Sequence, residues 1–375
     1  MSLLASLNAA LGDTEKPDET IPYWLATSLP NVNYVLSDDM TKAFPGGRLI
    51  LISGPSSSGK TALATEAMVQ AQRHPEGFAT FNDHENAFLL RHAQRQGLDE
   101  SRFYYRQPLS AEESFELLYD VMQQVRAAQH GVSLDKLGKA SDPGFAAKFC
   151  AAMKKIDKVK MSPLVQVVDS IAAMIPNEQD VNYENQNMRS KNMSLASLLS
   201  TELKRLVRDA NHSASTVIML NQLRTNPSVK FGDKSTEPGG QAPPYYASMR
   251  LRLRKVDQVY NIWDDKASGV AGDLVELYVA KNKVARPFRR TKYVFRTSDP
   301  VGLDPVATLI VLGKEAGVLG PAGGKSIEFG GKKRWSIDEF TAQARGTPAL
   351  VGDLIKTVMP AVLPSLTAES EAEVA

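Results

Sequence analysis

The stretch LILISGPSSSGKTALATEAMVQAQ, residues 49–72, leaves the chain around it few options. Gly54-x-x-x-x-Gly59-Lys60-Thr61 has the spacing of a phosphate-cradling loop. The apolar run Leu49 to Ile52 before it predicts a buried strand, and the segment after it predicts a helix. In such a unit successive backbone N–H groups and a helix N-terminus converge on one point and favour an anion there. The backbone of Gly54, Pro55, Ser56, Ser57, Ser58 and Gly59 would wrap the phosphates of a nucleoside triphosphate. Lys60 would neutralise the β- and γ-phosphates, and the Thr61 hydroxyl would ligate Mg²⁺.

The rest of the chain supports an α/β fold with a mostly parallel twisted sheet covered by helices. Strand candidates recur at 48–53, 78–83, 164–169, 216–222, 248–255, 274–283 and 291–296. A helix opens at Ser110 with Glu113 three residues on, the pattern of a capping box, and carries Phe115, Leu118, Met122 and Val125 on one face. Another aligns Leu195, Leu199, Leu203 and Leu206. Alternating apolar runs and helices predict a sheet covered on both faces. The last strands are expected to be antiparallel, because their connections are too short for a crossover helix.

The 375 residues suffice for one large domain plus smaller pieces. We expect an N-terminal oligomerisation arm at 1–35, a core at 36–302 with a Lys-rich surface insertion at 128–162, a small α/β domain at 303–366, and an acidic disordered tail at 367–375. The net charge of +2 requires any nucleic-acid affinity to come from local clusters. A single cysteine, Cys150, excludes an internal disulfide framework and suits a reducing cytoplasm. The N-terminus lacks a basic leader pattern, and no stretch is expected to supply the roughly 18 apolar residues of a membrane span. A cytoplasmic protein without a membrane partner is the expectation.

Asp169 closes the apolar run LVQVV, and open α/β sheets place ligands at that end of their strands. An Asp there either completes the Mg²⁺ shell or caps a helix. In FNDHEN, just past another strand, Glu85, Asp83 and His84 compete for the task of orienting or deprotonating water in line with a γ-phosphate.

GPSSSGKT, FNDHENAF, VVDSIAA, LNQLR, PGGQAPPYYASMRLRLRK and KNKVARPF occur in the order found in the bacterial RecA recombinases and their phage UvsX-like counterparts. The chain resembles this family over roughly 45–300, and more loosely through GKEAGVLG and GGKKRW near the C-terminus. The resemblance implies an ATP- and Mg²⁺-using, DNA-dependent ATPase. Such a protein forms a homo-oligomeric filament on single-stranded DNA and pairs it with homologous duplex DNA, aided by a single-strand-binding protein or loader. It selects Glu85 as the catalytic glutamate and makes Gln222 the sensor of the γ-phosphate. Lys281 and Lys283 become the lysines that reach a neighbouring subunit's nucleotide, and Pro287 and His92 join the ATP-binding residues. DNA-binding loops are implied at 178–193 and 223–240, with contacts from Ser200, Lys204, Arg224, Val229, Lys230, Phe231, Gly239, Gly240 and Gln241.

Some positions depart from the family. His92 stands where a tyrosine stacks on adenine, and Leu89 replaces an acidic residue near that base. Ser197 and Lys204 replace arginines, and Pro244 replaces a lysine. The N-terminus and the insertion point to a divergent, phage-encoded member. Arg250, Arg252 and Arg254 share a strand face that is either a basic groove or a solvated surface. Lys332, Lys333 and Arg334 either gather duplex DNA or form an exposed turn. Two other functions fit the same motifs: a helicase or recombination mediator of this ATPase superfamily, and a regulatory ATPase that binds no DNA.

Overall fold

The computed structural model describes residues 19–134, 144–177, 188–225, 235–263, 265–321, 326–331 and 333–367, together with Ala10. In chain order the first half holds β1 (Trp24–Leu25), α1 (Pro30–Ser37), β2 (Phe44–Pro45), β3 (Leu49–Gly54), α2 (Lys60–Gln72), β4 (Phe78–Asp83), α3 (Leu90–Arg95), β5 (Phe103–Arg106), α4 (Ala111–His130), α5 (Phe145–Met153) and β6 (Leu164–Asp169). The second half holds α6 (Met188–His212), β7 (Ser215–Gln222), β8 (Arg224–Thr225), β9 (Ser235–Thr236), α7 (Ala242–Tyr246), β10 (Met249–Ile262), β11 (Asp265–Asn282), β12 (Arg290–Arg296) and β13 (Gly302–Leu303). It closes with α8 (Pro305–Glu315), β14 (Ser326–Phe329), β15 (Lys333–Ser336), α9 (Ile337–Arg345) and α10 (Pro348–Thr367).

A nine-stranded sheet in the order β13-β12-β11-β10-β3-β7-β6-β4-β5 forms the centre. The strands from β10 to β5 in that order are parallel, and β11, β12 and β13 attach antiparallel, as the short connections predict. Both faces are dry. Ile50 and Ile52 of β3 pack into one apolar cluster with α2, whereas Leu49 and Leu51 pack into another with α4 and α6. This is the period-two alternation of a strand buried on both sides. Ser110 accepts the Glu113 N–H at 3.1 Å and so caps α4, whose Phe115, Leu118 and Met122 are buried. They meet Leu195, Leu199, Leu203 and Leu206 of α6, each such side chain contributing about 1.5–3 kcal/mol of burial.

The structure departs from the sequence expectations in several places. Phe103–Arg106 forms the edge strand β5, too short to show alternation in the sequence. β10 and β11 run on to Ile262 and from Asp265, making a hairpin longer than expected. The insertion is not purely surface: Phe145, Phe149 and Met153 of α5 form a small core with Met161 and Ala214. Boundaries at 35, 302 and 366 fall inside α1, β13 and α10. The helices α1, α8, α9 and α10 join the cluster beneath β3 and α2. Contrary to expectation, one helix, Pro348–Thr367, is by length and composition long and apolar enough to cross a membrane. It directs Leu354, Val358, Met359, Val362 and Leu366 into the core, as one face of an amphipathic helix does.

Candidate nucleotide site and loop base

The parallel strands deliver their functional residues to one edge by register. Gly54 pairs with Gln222 across β3 and β7, and Asp83 pairs with Asp169 across β4 and β6. The phosphate loop leaves that edge. A Cβ on Gly54 would stand 2.5 Å from Ser58 Oγ and 2.7 Å from the Leu253 carbonyl oxygen, so only glycine fits the turn. Lys60 curls back over the loop, its Nζ donating to the carbonyls of Gly54 at 3.0 Å and Pro55 at 2.8 Å. Burial holds its pKa down, while Asp169 and Glu85 oppose the shift.

Thr61 Oγ1 donates to Asp169 Oδ2 at 2.8 Å. Burial drives the Asp169 carboxyl up to about 6; Glu85 and Asp83 add to the rise, and the Thr61 hydrogen bond and Lys60 oppose it. Excess negative charge on a buried floor suits a divalent cation. Among the described residues no group of three or more His, Cys, Asp or Glu side chains has metal-holding geometry. An ion here would rest on Thr61, Asp169 and the phosphates of a bound nucleotide, the sparse protein ligation typical of Mg²⁺.

The three candidates at 83–85 separate by their partners. Asp83 is buried and accepts the Glu85 N–H at 3.1 Å, the Phe88 N–H at 3.0 Å and the Tyr105 hydroxyl at 3.0 Å, so it shapes the turn. His84 packs its Nε2 away from solvent, and burial lowers its pKa to about 4. Glu85 lines the pocket, where its Oε1 accepts from Ser170 Oγ at 2.5 Å and from Gln222 Nε2 at 2.9 Å.

The pocket has a volume of about 310 Å³. Ser56, Ser57, Ser58, Gly59, Lys60 and Thr61 form its phosphate end, and Leu89 and His92 stand on its wall. Sequence reasoning missed Ser170, Gln96, Asp273, Phe295, Thr297 and Val301, of which all but Ser170 line this pocket. Phe295 had one faint signal, its place in the alternation of β12; Thr297 had only its place just past that strand, and Ser170 its place after Asp169.

Lys281, Lys283 and Pro287 do not line this pocket. β11 runs antiparallel to β10, which places Lys281 opposite Arg250 and toward the start of β3 rather than its phosphate-loop end. Lys281 Nζ donates to the carbonyls of Pro244 at 2.9 Å and Tyr245 at 2.6 Å. The strand stops at Asn282, and Lys283 lines a separate cavity with Arg48, Arg208 and His212.

Of the DNA-contact candidates, Val229, Lys230 and Phe231 lie outside the described residues, as does most of 178–193. Arg224 pairs with Thr236 in the β8–β9 ladder at the base of the loop. Asn221 is buried and donates to the Pro238 carbonyl at 2.9 Å, tying the two ends of the loop together. Gly239 and Gly240 have φ of +91° and +76° and press on Leu199 and Ala196 of α6, while Gln241 is exposed. Ser197, Ser200 and Lys204 occupy the exposed face of that helix. Arg250 pairs with Glu237 at 2.7 Å and Arg254 with Glu276 at 2.9 Å, so carboxylates neutralise two of the three strand arginines. Lys332 is outside the described residues, and Arg334 Nε donates to Ser326 Oγ at 2.8 Å.

The family profile of the RecA N-terminal domain matches residues 40–128 and 120–297. Protein RecA of Thermus thermophilus is 32% identical over 317 residues, 84% of this chain and 79% of that relative. Protein RecA of Mesomycoplasma hyopneumoniae is 31% identical over 279 residues, covering 74% and 68%. Protein RecA of Cytophaga hutchinsonii is 29% identical over 279 residues, and the chain spans 66% of its length. The crystal structure of the RadB recombinase aligns with 74% of this chain and 98% of its own, at a TM-score of 0.46 and 18% identity. With the phosphate loop, the two strand-end carboxylates and the glutamine at β7 all inside the matched residues, the chain belongs to the RecA family.

Proposed function

We propose that this protein is an ATP-dependent DNA recombinase that assembles as a filament on single-stranded DNA and exchanges strands with homologous duplex. One observation carries the reading: Gln222 contacts Glu85 in the nucleotide pocket and opens the segment that runs through β8 to the 223–240 loop.

In this reading the loop N–H groups and Lys60 hold the triphosphate of ATP. Thr61 and Asp169 would hold Mg²⁺, which neutralises phosphate charge when bound. Glu85 orients water toward the γ-phosphate, with Ser170 fixing one carboxylate oxygen. A γ-phosphate competes for the Gln222 amide, and moving that amide shifts the loop that meets DNA. ATP and DNA affinities are then linked, each raising the other. Lys281 and Lys283 face a neighbouring subunit's nucleotide, offsetting charge in its transition state.

Electron microscopy with single-stranded DNA and a non-hydrolysable ATP analogue tests the assembly, and ATP hydrolysis with and without that DNA tests the coupling. Extended filaments and a DNA-stimulated rate are expected. A rate indifferent to DNA, with no filament, would overturn the reading.

A further inference from the structure

The segment 144–162 sets Lys148, Lys154, Lys155, Lys158 and Lys160 against one carboxylate, Asp157, which is engaged by the Val159 N–H at 3.2 Å. The small core of α5 anchors this segment, and Lys158 Nζ donates to Asn211 Oδ1 of α6 at 2.9 Å. The lysines therefore stand on a fixed base. Beside Asn211 the surface opens into a cavity of about 340 Å³ whose lining includes Arg48, Arg208, His212 and Lys283. His212 Nδ1 is buried there without a hydrogen-bond partner. Burial, then Lys158 and Lys154, lower the pKa of His212, which places these cations close to the cavity wall. On the other flank Lys160 joins Arg73 and His74 around a second cavity of about 580 Å³.

The facing carboxylates are already engaged. Asp209 is paired with Arg208 at 2.8 Å and Arg205 at 3.5 Å, and Glu76 accepts from Ser162 Oγ at 2.8 Å. A ridge with this excess of cations suits a polyanion. The described lining of the first cavity contains no Phe, Tyr or Trp, so bases have no stacking platform and phosphates are the natural contact. The ridge lies at the last turn of α6, whereas Gly239 and Gly240, at the end of the 223–240 segment, pack on Leu199 and Ala196, nearer its other end.

We propose that the 144–162 segment, with Arg48 and Arg208 at its edge, binds the sugar–phosphate backbone of duplex DNA without regard to sequence. The proposal rests on the reading of this chain as a DNA-acting ATPase, and its test separates the two.

Fluorescence anisotropy with a short labelled duplex compares the parent protein with Lys154→Ala/Lys155→Ala/Lys160→Ala, all exposed positions. The matched control is Lys42→Ala/Lys266→Ala/Lys356→Ala, also exposed and outside the lining of both cavities. The ridge variant should bind duplex about tenfold more weakly at moderate salt, and its salt slope should fall by about 0.9 for each lost phosphate contact. Its single-strand-stimulated ATP hydrolysis should match the parent's. Equal duplex affinity and slope in parent and ridge variant would overturn the proposal, and so would an equal loss in the control. A parent without single-strand stimulation would sink the recombinase reading, yet the duplex comparison would still decide the ridge.

Discussion

Gln222 donates its side-chain amide to the Glu85 carboxylate at 2.9 Å, and its backbone N–H donates to the Asn221 side chain at 3.0 Å. Asn221 in turn donates to the Pro238 carbonyl at the far end of the 223–240 loop. Two adjacent residues at the end of β7 thus touch the pocket on one side and both ends of the loop on the other. Gln222→Ala should leave basal ATP binding near normal and abolish the tightening of DNA binding by ATP. Titrating DNA with and without a non-hydrolysable analogue checks this; an ATP effect as large as the parent's would refute the relay.

Glu85→Gln should bind ATP and hydrolyse it about 10²–10⁴-fold more slowly, the range for loss of a general base. Ser170→Ala should cost less, on the order of tenfold, because it removes one of the two hydrogen bonds on Glu85 Oε1 without removing the group. The expected order in single-turnover rates is parent, Ser170→Ala, Glu85→Gln, at similar nucleotide affinity. Lys60→Ala should instead lose tight binding itself.

A mixture of variants tests whether neighbouring subunits share a site. Glu85→Gln alone and Lys281→Ala/Lys283→Ala alone should each show little DNA-stimulated hydrolysis. In a mixed filament some interfaces combine an intact Glu85 with intact lysines from the neighbour, and activity should exceed the sum of the two variants. Additive activity in a mixture proved by labelled subunits to co-assemble would exclude the shared site.

His84 gives the fold a pH dependence whose sign is fixed. Its folded pKa of about 4 lies below the ordinary 6.5 because burial penalises the imidazolium. Between those values the unfolded chain binds a proton that the folded chain does not. Stability is therefore full above about pH 6.5 and falls as pH drops toward 4, by up to about 3 kcal/mol. Denaturant titrations of the parent and His84→Gln at several pH values should show the acid loss shrinking in the variant.

Gly239→Ala should destabilise the loop base. A Cβ there meets Ile171 Cγ2 and Leu199 Cδ1 at 2.8 Å, on a backbone with φ of +91°. A cost of roughly 1–3 kcal/mol is expected, read as a lower thermal midpoint together with weaker DNA binding.

Much of the nucleotide site was legible because its chemistry is local. The strand–loop–helix run carries its own geometry, and residues 78–83 and 164–169 announce strands that end in carboxylates. The parts that stayed hidden depend on pairing. Phe295, and Thr297 just past the strand's end, reach the pocket only because β12 packs beside β11, and Asp273 only because β11 begins well before 274. Asp83 and Glu85 have the same chemistry in the sequence; what separates them is that Tyr105, on an unforeseen edge strand, bonds one of them. The insertion was misjudged because its lysines outweighed three spaced apolar residues, and a helix as short as α5 shows few periods.

The packing of α10 on α1 has a consequence for how the chain is made. Asn31 of α1 is tied to β12 through Thr291 Oγ1 at 2.7 Å and the Lys292 carbonyl at 2.9 Å, and the apolar side chains of α10 join Leu29, Val32, Val35 and Leu36 in one cluster. On a ribosome adding roughly 5–20 residues per second, α10 emerges roughly 15 s to a minute after α1. Throughout that interval part of the apolar surface of α1 waits for α10 to cover it. A helix translated late thereby becomes the step that shelters one translated early from chaperones and from other unfinished chains.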